Sequence, residues 1–339
     1  MARFSRLEVL NTIVAQGLVP IFYQKEAETA RQIARAVVAG GCRLLEFTNR
    51  GDHALDIFRE LVLACSQEAP NLIVGAGSIV DAPTAALYIA AGANFIVGPL
   101  LNPEVARLCN RRKIAYLPGC GSVSEISAAE ELGVEIVKVF PANAAGGPSF
   151  VKEVLGPCPW TRILPTGGIE ADRAALAAWF AAGVTAVGLG SSLLPKALIA
   201  AGDYDGIAAR VAQTLGWIRE LRGERLFQGV EHVGLYPRDG ATAAQVAAWY
   251  ADLFGFAATE GPGSFFLEGG GPGRIEACKE ATDDRPHLAI RVSDFEAAVA
   301  ALRARGVELE EPMITPTTRV VFLKQRDPAG HRVHLLWRR

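Results

Sequence analysis

Short apolar segments alternate with helical segments through the first 200 residues, and this alternation limits the possible folds more than any other feature. Eight segments have the length and near-continuous apolar character of strands that are buried on both faces of a parallel sheet. The predicted strands are 18–23, 43–47, 72–76, 94–97, 114–117, 135–139, 162–165 and 185–188, and a helical segment follows each of them. Eight strand–helix units indicate an α/β fold of the closed (β/α)8 TIM-barrel type, with a doubly wound open sheet as the alternative.

A weak internal repeat supports this count. Four segments end a predicted helix with a glycine and then enter a strand, and the glycines are Gly41, Gly92, Gly133 and Gly183. Glycine adopts the left-handed conformation that commonly ends a helix. No GxGxxG pattern follows the first strand, so the sequence does not favour a dinucleotide-binding fold.

The pattern changes after residue 222. Strand, helix and two or three strands occur once from about 230 and again from 286, which predicts a duplicated β-α-β-β(-β) unit. The predicted strands are 230–236, 264–268, 273–279, 286–292, 307–310, 319–325 and 332–337, with helices at 241–254 and 294–305. The sequence therefore predicts a barrel over 1–222, a linker over 223–229 and an α+β domain over 230–339.

Charge and composition exclude several classes of protein. The formal net charge of −2 gives no general attraction to nucleic acid or to an anionic membrane. No apolar run approaches the ~18 residues that span a bilayer, and the N-terminus lacks the apolar core of a signal peptide. The six cysteines show no CxxC spacing and are typical of reduced core residues. We expect a globular cytoplasmic protein.

One predicted barrel strand, 135–139, carries a lysine at Lys138. An ammonium group in a buried strand is desolvated, and desolvation favours the neutral amine. A neutral amine in a pocket can form a Schiff base with a carbonyl substrate. The alternative is a lysine at the end of a strand that extends its ammonium group to water.

Chemistry in a (β/α)8 barrel collects at the C-terminal ends of the strands. Those ends carry polar residues, glycines and a proline that core packing does not require. The candidates are Glu46, Thr48, Arg50, Ser78, Pro99, Phe140, Thr166, Gly167, Gly168, Gly190 and Ser191. Their placement at successive strand ends predicts a binding site around Lys138.

These residue types fit an anionic carbonyl substrate. Glu46 can move protons, and Arg50 can hold a carboxylate at two points, with Ser78 as a further donor. The pairs 167–168 and 190–191 each precede a predicted helix, so their N–H groups are expected to favour a phosphate. The alternative is a structural Glu46–Arg50 salt bridge and ordinary helix caps.

Six motifs occur in order along the predicted strands: Glu46-x-Thr48-x-Arg50, Gly75-Ala76-Gly77-Ser78, the run 95–99, Pro118-Gly119, the run 137–142 and the run 165–169. Through them residues 5–220 resemble the KDPG/KHG aldolase family, whose members cleave 2-keto-3-deoxy-6-phosphogluconate or 4-hydroxy-2-oxoglutarate to pyruvate and an aldehyde. The resemblance implies a small keto acid substrate, no cofactor for the barrel, and a homotrimer.

The resemblance also implies roles for the matching residues. Lys138 would form the Schiff base, Glu46 would be the general acid and base, Arg50 and Ser78 would bind the pyruvyl carboxylate, and Gly167, Gly168 and Ser191 would hold a distal phosphate. Ser78 stands where many members have Thr, and the segments 98–99, 119–122 and 188–192 also differ from the common pattern. These departures leave the aldehyde fragment open. A phosphate-sugar isomerase or a sensor barrel is the competing interpretation.

Four of the five histidines follow residue 230. The runs 232–235, 249–256 and 327–336, within the duplicated topology, resemble the vicinal-oxygen-chelate (glyoxalase/dioxygenase-like) superfamily over 228–338. The resemblance implies a divalent metal held by His232, Glu276, His287 and His334, a donor set that suits Zn, Fe, Mn or Ni. His334 stands where members commonly carry Glu. The domain is then either a metal-dependent enzyme on a related keto acid or a non-catalytic binding or oligomerisation module.

Overall fold

The computed structural model describes residues 2–271, 273–280, 285–315 and 317–338. The chain divides into two compact units, Met1–Gly223 (unit 1) and Glu224–Arg339 (unit 2). Among the described residues, no helix is both long enough and apolar enough to cross a bilayer.

Unit 1 alternates strands and helices along its whole length. Its helices are α1 (Arg6–Gln16), α2 (Ala27–Ala39), α3 (Ala54–Glu68), α4 (Ala82–Ala90), α5 (Pro103–Arg112), α6 (Val123–Glu131), α7 (Gly147–Leu155), α8 (Arg173–Ala181), α9 (Lys196–Ala201) and α10 (Tyr204–Leu221). Its strands are β1 (Leu18–Phe22), β2 (Leu44–Thr48), β3 (Ile73–Gly77), β4 (Phe95–Val97), β5 (Ala115–Leu117), β6 (Gly119–Cys120), β7 (Val137–Val139), β8 (Ile163–Pro165) and β9 (Val187–Leu189).

The strands of unit 1 are parallel and close into a barrel. Strands β5 to β1 pair in succession and β1 pairs with β9, while β6, β7 and β8 form a second run. Pro118, which has no N–H group to donate, separates β5 from β6, and the bridge between Thr166 and Gly188 joins β8 to the β9 side. The predicted (β/α)8 barrel is therefore confirmed, and the open doubly wound sheet is excluded.

Local sequence explains these elements. The barrel strands consist almost entirely of buried residues, as expected for a parallel sheet covered by helices. Large side chains fill the layer between the strands and the helices, among them Phe47, Phe58, Tyr88, Phe95 and Tyr116. Several helices begin after a residue whose side chain accepts a hydrogen bond from the first turn: Asp81, Asn102, Ser122, Asp172 and Asp203.

Unit 2 contains two modules of the same element order. The first is β10 (Phe227–Leu235), α11 (Ala243–Phe254), β11 (Ala257–Glu260), β12 (Ser264–Glu268) and β13 (Arg274–Cys278); the second is β14 (His287–Val292), α12 (Phe295–Ala304), β15 (Met313–Ile314), β16 (Thr318–Phe322) and β17 (Arg332–Arg338). The sheet order is β11-β12-β13-β10-β14-β17-β16-β15, so the modules meet at the β10–β14 pair. Paired βαβββ modules of this kind confirm the predicted fold class.

Four details of unit 2 differ from the sequence prediction, and one of them is the two-residue strand β15, which was not predicted. Strand β10 begins at Phe227, inside the predicted linker 223–229. The predicted strand 307–310 is wrong, because the described residues there make only an isolated bridge between Leu309 and Leu323. Strand β11 was not predicted, since its four residues are all exposed and carry no apolar alternation.

Candidate functional sites

Lys138 lies at the centre of β7, and its residue is 5% exposed. Its backbone pairs with Gly119 and Leu164 on the two neighbouring strands. Burial lowers the pKa of Lys138 below that of an ordinary lysine; the Glu46 carboxylate opposes this shift and the Arg50 charge adds to it. The Nζ atom lies 4.7 Å from the centroid of the Phe140 ring. The buried site therefore favours the neutral amine of Lys138 over its ammonium form.

Glu46 is 3% exposed on β2 and interacts electrostatically with Lys138. Its carboxyl group lies over Gly77 of β3, where a Cβ atom would clash with Glu46 Oε1. Burial raises the pKa of Glu46, while the charges of Lys138 and Arg50 act in the opposite direction. A carboxyl group with a raised pKa, close to an amine with a lowered pKa, is suited to proton transfer.

Arg50 and Ser78 meet at the ends of β2 and β3. Arg50 Nε donates a hydrogen bond of 3.3 Å to Ser78 Oγ, and the arginine side chain is exposed. Ser78 has a φ of 60°, in the left-handed region that non-glycine residues seldom adopt. Backbone strain of this kind clusters at binding sites. The two side chains form a group of donors suited to a carboxylate.

The two threonines of the predicted site differ in their contacts. The hydroxyl of Thr48 donates to the carbonyl of Phe22 at 3.2 Å, so it holds β1 to β2. The hydroxyl of Thr166 is buried and has no hydrogen-bond partner among the described residues. A buried hydroxyl without a partner is unfavourable by about 1–3 kcal/mol, which a ligand can relieve. Thr166 is therefore available to a substrate, whereas Thr48 has a structural contact.

The predicted distal phosphate site lies at the ends of β8 and β9, but it is not built on helix N-termini. Helix α8 begins five residues after Gly168, at Arg173, and the carboxylate of Asp172 already caps it. The expectation that 167–168 directly precede a helix is therefore wrong, and so is its extension to 190–191, because α9 begins only at Lys196. The backbone turns themselves remain as the candidate anion site.

Some backbone groups at these turns are already hydrogen-bonded within the chain. The carbonyls of Gly167 and Gly168 accept hydrogen bonds from Asn143, through its backbone N–H and its side-chain amide. Gly190 closes a turn by accepting from the N–H groups of residues 193 and 194. Ser191 is exposed at this turn, and Pro99 is half-buried after β4. Asn143 was not identified from the sequence, because its partner Gly168 lies 25 residues further along the chain.

A second cluster of polar residues lies in unit 2, on one face of the sheet. His232 Nε2 is 3.2 Å from His287 Nε2, and Glu276 Oε2 is 3.0 Å from the first of these atoms and 3.2 Å from the second. The ring of His334 is 5.2 Å, centroid to centroid, from the rings of His232 and His287. Nitrogen atoms of the three imidazoles all lie within 4.8 Å of one another. The four side chains that the sequence suggested as metal ligands are thus together.

His334 tests whether the cluster fits a metal ion. It is 5% exposed, and within the described part of the chain neither ring nitrogen has a hydrogen-bond partner. Burial lowers the pKa of His334 to about 3, and the nearby His232 and His287 add to this shift. A neutral, buried imidazole without a partner, facing two further imidazoles and a carboxylate, is a donor set suited to a divalent cation.

Two further residues support the cluster. Glu231 contacts His232 Nδ1, and the hydroxyl of Tyr236 lies 3.0 Å from His287 Nδ1. Burial alone would raise the pKa of Glu231, but hydrogen bonds from His232 and Arg274 hold it at about 2. Neither residue was identified from the sequence. An acidic residue directly before a histidine in an apolar strand was the available signal for Glu231.

Comparison with known families divides the chain at the same place. Residues 9–210 match the KDPG and KHG aldolase family. Residues 229–335 match the Glyoxalase/Bleomycin resistance protein/Dioxygenase superfamily. Both resemblances stated for the sequence are confirmed.

Individual relatives match unit 1 over most of their own length. The 2-dehydro-3-deoxy-phosphogluconate aldolase of Treponema pallidum is 36% identical over 210 residues, which cover 62% of this chain and 97% of that protein. The KHG/KDPG aldolase of Escherichia coli K12 is 36% identical over 202 residues, 58% of this chain and 90% of that enzyme. The crystal structure of the Legionella pneumophila KDPG aldolase, with pyruvate captured as a covalent carbinolamine, has 30% identity and a TM-score of 0.55, covering 60% of this chain and 96% of that one.

Proposed function

Because the chain belongs, through residues 9–210, to the KDPG and KHG aldolase family, we propose that its Schiff-base aldolase unit cleaves a 2-keto-3-deoxy-6-phospho sugar acid to pyruvate and a phosphorylated aldehyde such as glyceraldehyde 3-phosphate. An unphosphorylated 2-keto-4-hydroxy acid, such as 4-hydroxy-2-oxoglutarate, is the second candidate substrate. The observation that supports this proposal most directly is the buried amine of Lys138 close to the buried carboxyl group of Glu46.

The protonation states of this pair suit the first half of the reaction. Neutral Lys138 Nζ attacks the C2 ketone, and a proton moves from nitrogen to oxygen to give a carbinolamine. Glu46, whose pKa is raised by burial, gives its proton to the C2 hydroxyl, which leaves as water. The product is an iminium cation next to a carboxylate, and each charge stabilises the other.

The same carboxylate then serves the second half. Glu46 takes the proton of the C4 hydroxyl, the C3–C4 bond breaks, and its electrons move into the iminium to form an enamine. The aldehyde leaves, Glu46 returns its proton to C3, and water hydrolyses the resulting imine to pyruvate and free Lys138. Arg50 and Ser78 hold the carboxylate of the substrate, which keeps C2 within reach of the amine.

A phosphorylated substrate predicts an unequal effect of Ser191→Ala. We expect kcat/KM for the phosphorylated acid to fall about tenfold or more, because a hydrogen bond to a charged group is worth about 1.5–3 kcal/mol. The value for the unphosphorylated analogue should stay within about twofold. Pyruvate release from a panel of 2-keto-3-deoxy acids measures both, and Ser66→Ala, an exposed serine of α3, is the control. Equal losses on both substrates, or a wild-type preference for the unphosphorylated acid, would refute phosphate binding at this turn.

We propose further that unit 2 holds one divalent metal ion through His232, Glu276, His287 and His334. Such an ion would polarise a carbonyl or lower the pKa of a bound water. The carbonyl group of a keto acid is one that such an ion could polarise, so we propose that unit 2 acts on a keto acid related to that of unit 1. A non-catalytic binding or oligomerisation module is the alternative.

Metal content separates these two roles. The chain, stripped by a chelator and dialysed separately against Zn, Fe, Mn or Ni, should retain about one ion per chain. His334→Ala should reduce the retained metal well below one ion, whereas His331→Ala, a histidine that contacts Asp327 in a turn, should not. Elemental analysis by mass spectrometry gives the stoichiometry. If the wild-type chain retains none of the four metals, the metal site is rejected and the binding module is favoured.

Assembly and location follow from the family and from the cysteines. We propose a homotrimer formed through unit 1, which light scattering of the full chain would test against the mass of a monomer or dimer. All six cysteines are free, and five of them are buried. Free thiols fit the reducing cytoplasm that we propose for this protein.

A further inference from the structure

Strand β10 contains a β-bulge directly before His232. Val230 pairs with Ile290 and His232 with Ala289, so β10 advances two residues where β14 advances one. In a regular strand, neighbouring side chains point to opposite faces of the sheet. A bulge removes that restriction at the extra residue, which here is Glu231. The side chains of Glu231 and His232 consequently lie on the same face.

Glu231 is a buried carboxylate that lies beside one histidine and two arginines. It is 6% exposed, and one of its oxygens contacts His232 Nδ1. The other accepts a hydrogen bond from Arg274 and lies 3.8 Å from Arg338 Nη1. Buried carboxylates are seldom stable without such partners, so Arg274 secures the charge of Glu231 and keeps its second oxygen on His232.

The contact at Nδ1 decides which nitrogen of His232 faces the cluster. A carboxylate can only accept a hydrogen bond, so Nδ1 must carry a proton. The other nitrogen, Nε2, is the one that lies 3.0 Å from Glu276 and 3.2 Å from His287. With Nδ1 held in this way, Nε2 is the nitrogen that faces the centre of the cluster, and it offers its lone pair there when the ring is neutral.

We propose that Glu231 is a positioning residue, which fixes the tautomer and orientation of His232 and thereby increases the affinity of unit 2 for a divalent metal. The inference rests on the proposed metal site. Carboxylates that accept from the outer nitrogen of a ligating histidine make the ligand more basic. The three imidazoles differ in this support: His232 has a carboxylate, His287 has the hydroxyl of Tyr236, and His334 has no partner among the described residues.

Two variants of Glu231 test the proposal. Glu231→Gln keeps an oxygen for His232 Nδ1 and fits the same space, whereas Glu231→Ala removes the contact. Competition between the full chain and a chromophoric zinc chelator measures the affinity. We expect about a 10–100-fold loss for Glu231→Ala and a smaller loss for Glu231→Gln. The control is Glu268→Gln, which changes another carboxylate bound to Arg274, at 3.0 Å, and should stay within about twofold.

A metal-free measurement separates this proposal from the metal site itself. Long-range ¹H–¹⁵N spectra of the apo protein, titrated until the ring of His232 is neutral, report which nitrogen is protonated. We expect Nδ1–H in the wild type and a mixture of tautomers in Glu231→Ala. An unchanged tautomer in a folded Glu231→Ala protein, or an affinity loss no larger than that of Glu268→Gln, overturns the role of Glu231. If the wild type binds no zinc but Glu231→Ala still changes the tautomer of His232, the metal site and the effect of Glu231 on metal affinity are overturned, and the effect on the tautomer stands.

Discussion

Lys138→Met is expected to reduce pyruvate release to the background rate and to abolish covalent trapping by borohydride. Methionine fills a similar volume in the barrel but has no nucleophilic nitrogen, so neither the carbinolamine nor the imine can form. Treatment of the wild-type chain with pyruvate and borohydride should add one reduced pyruvyl group to Lys138, located by peptide mass spectrometry. The variant should fold, because it exchanges a desolvated amine for an apolar side chain.

The matched control is Lys152→Met, which changes an exposed lysine of α7 outside the barrel interior. It should retain both the rate and the adduct. A pyruvyl adduct that persists in Lys138→Met, or substantial pyruvate release by that variant, would show that another amine is the nucleophile. Full loss in both variants would point to a general effect on folding, which thermal denaturation followed by circular dichroism would reveal.

The barrel was predictable because each of its strands carries its own signal. A parallel strand covered by helices on its outer face needs an apolar run, and the chain contains one at each position that the structure confirms. For a related reason, the sequence allowed four side chains to be predicted in one site: Glu46, Arg50, Ser78 and Lys138. Each stands at or near the C-terminal end of a strand, and closure of the barrel places those ends around one opening.

The local chemistry of the turns was less predictable. Residues 167–168 were expected to precede a helix closely, but α8 begins only at Arg173, after its capping residue Asp172. Propensity locates a helix within a few residues, whereas the capping residue that starts it depends on loop geometry. The difference matters for the substrate, because a phosphate at these turns would be held by single N–H groups and hydroxyls.

In unit 2, the candidate metal ligands were predictable from the sequence, but the residue that positions His232 was not. His232, His287 and His334 stand on strands of the two repeats, so the duplicated topology aligns them. Glu231 reaches His232 only through a bulge, and an extra residue in a strand does not show in the apolar pattern. The need for glycine at Gly77 was also not predictable, because it arises from the carboxyl group of Glu46 on the neighbouring strand.

Glu46→Gln is expected to lower kcat by about 10²–10⁴-fold while pyruvate can still be trapped on Lys138. The amide fits the space above Gly77, but it neither gives a proton to the carbinolamine nor takes one from the C4 hydroxyl. Trapping requires only the imine, which forms slowly without the acid. Exchange of the pyruvate methyl protons with D₂O requires proton transfer at C3, so it should fall with kcat.

The comparison of trapping with exchange distinguishes this role from a structural salt bridge to Arg50. If Glu46 only held Arg50 in place, Glu46→Gln would raise KM for the keto acid and leave the exchange rate at saturating pyruvate unchanged. Glu60→Gln, an exposed carboxylate on α3, controls for a loss of negative charge elsewhere in unit 1. A variant with normal exchange and a raised KM would transfer the proton-shuttle role to another group. Loss of exchange with retained trapping would assign it to Glu46, because only that outcome separates proton transfer from imine formation.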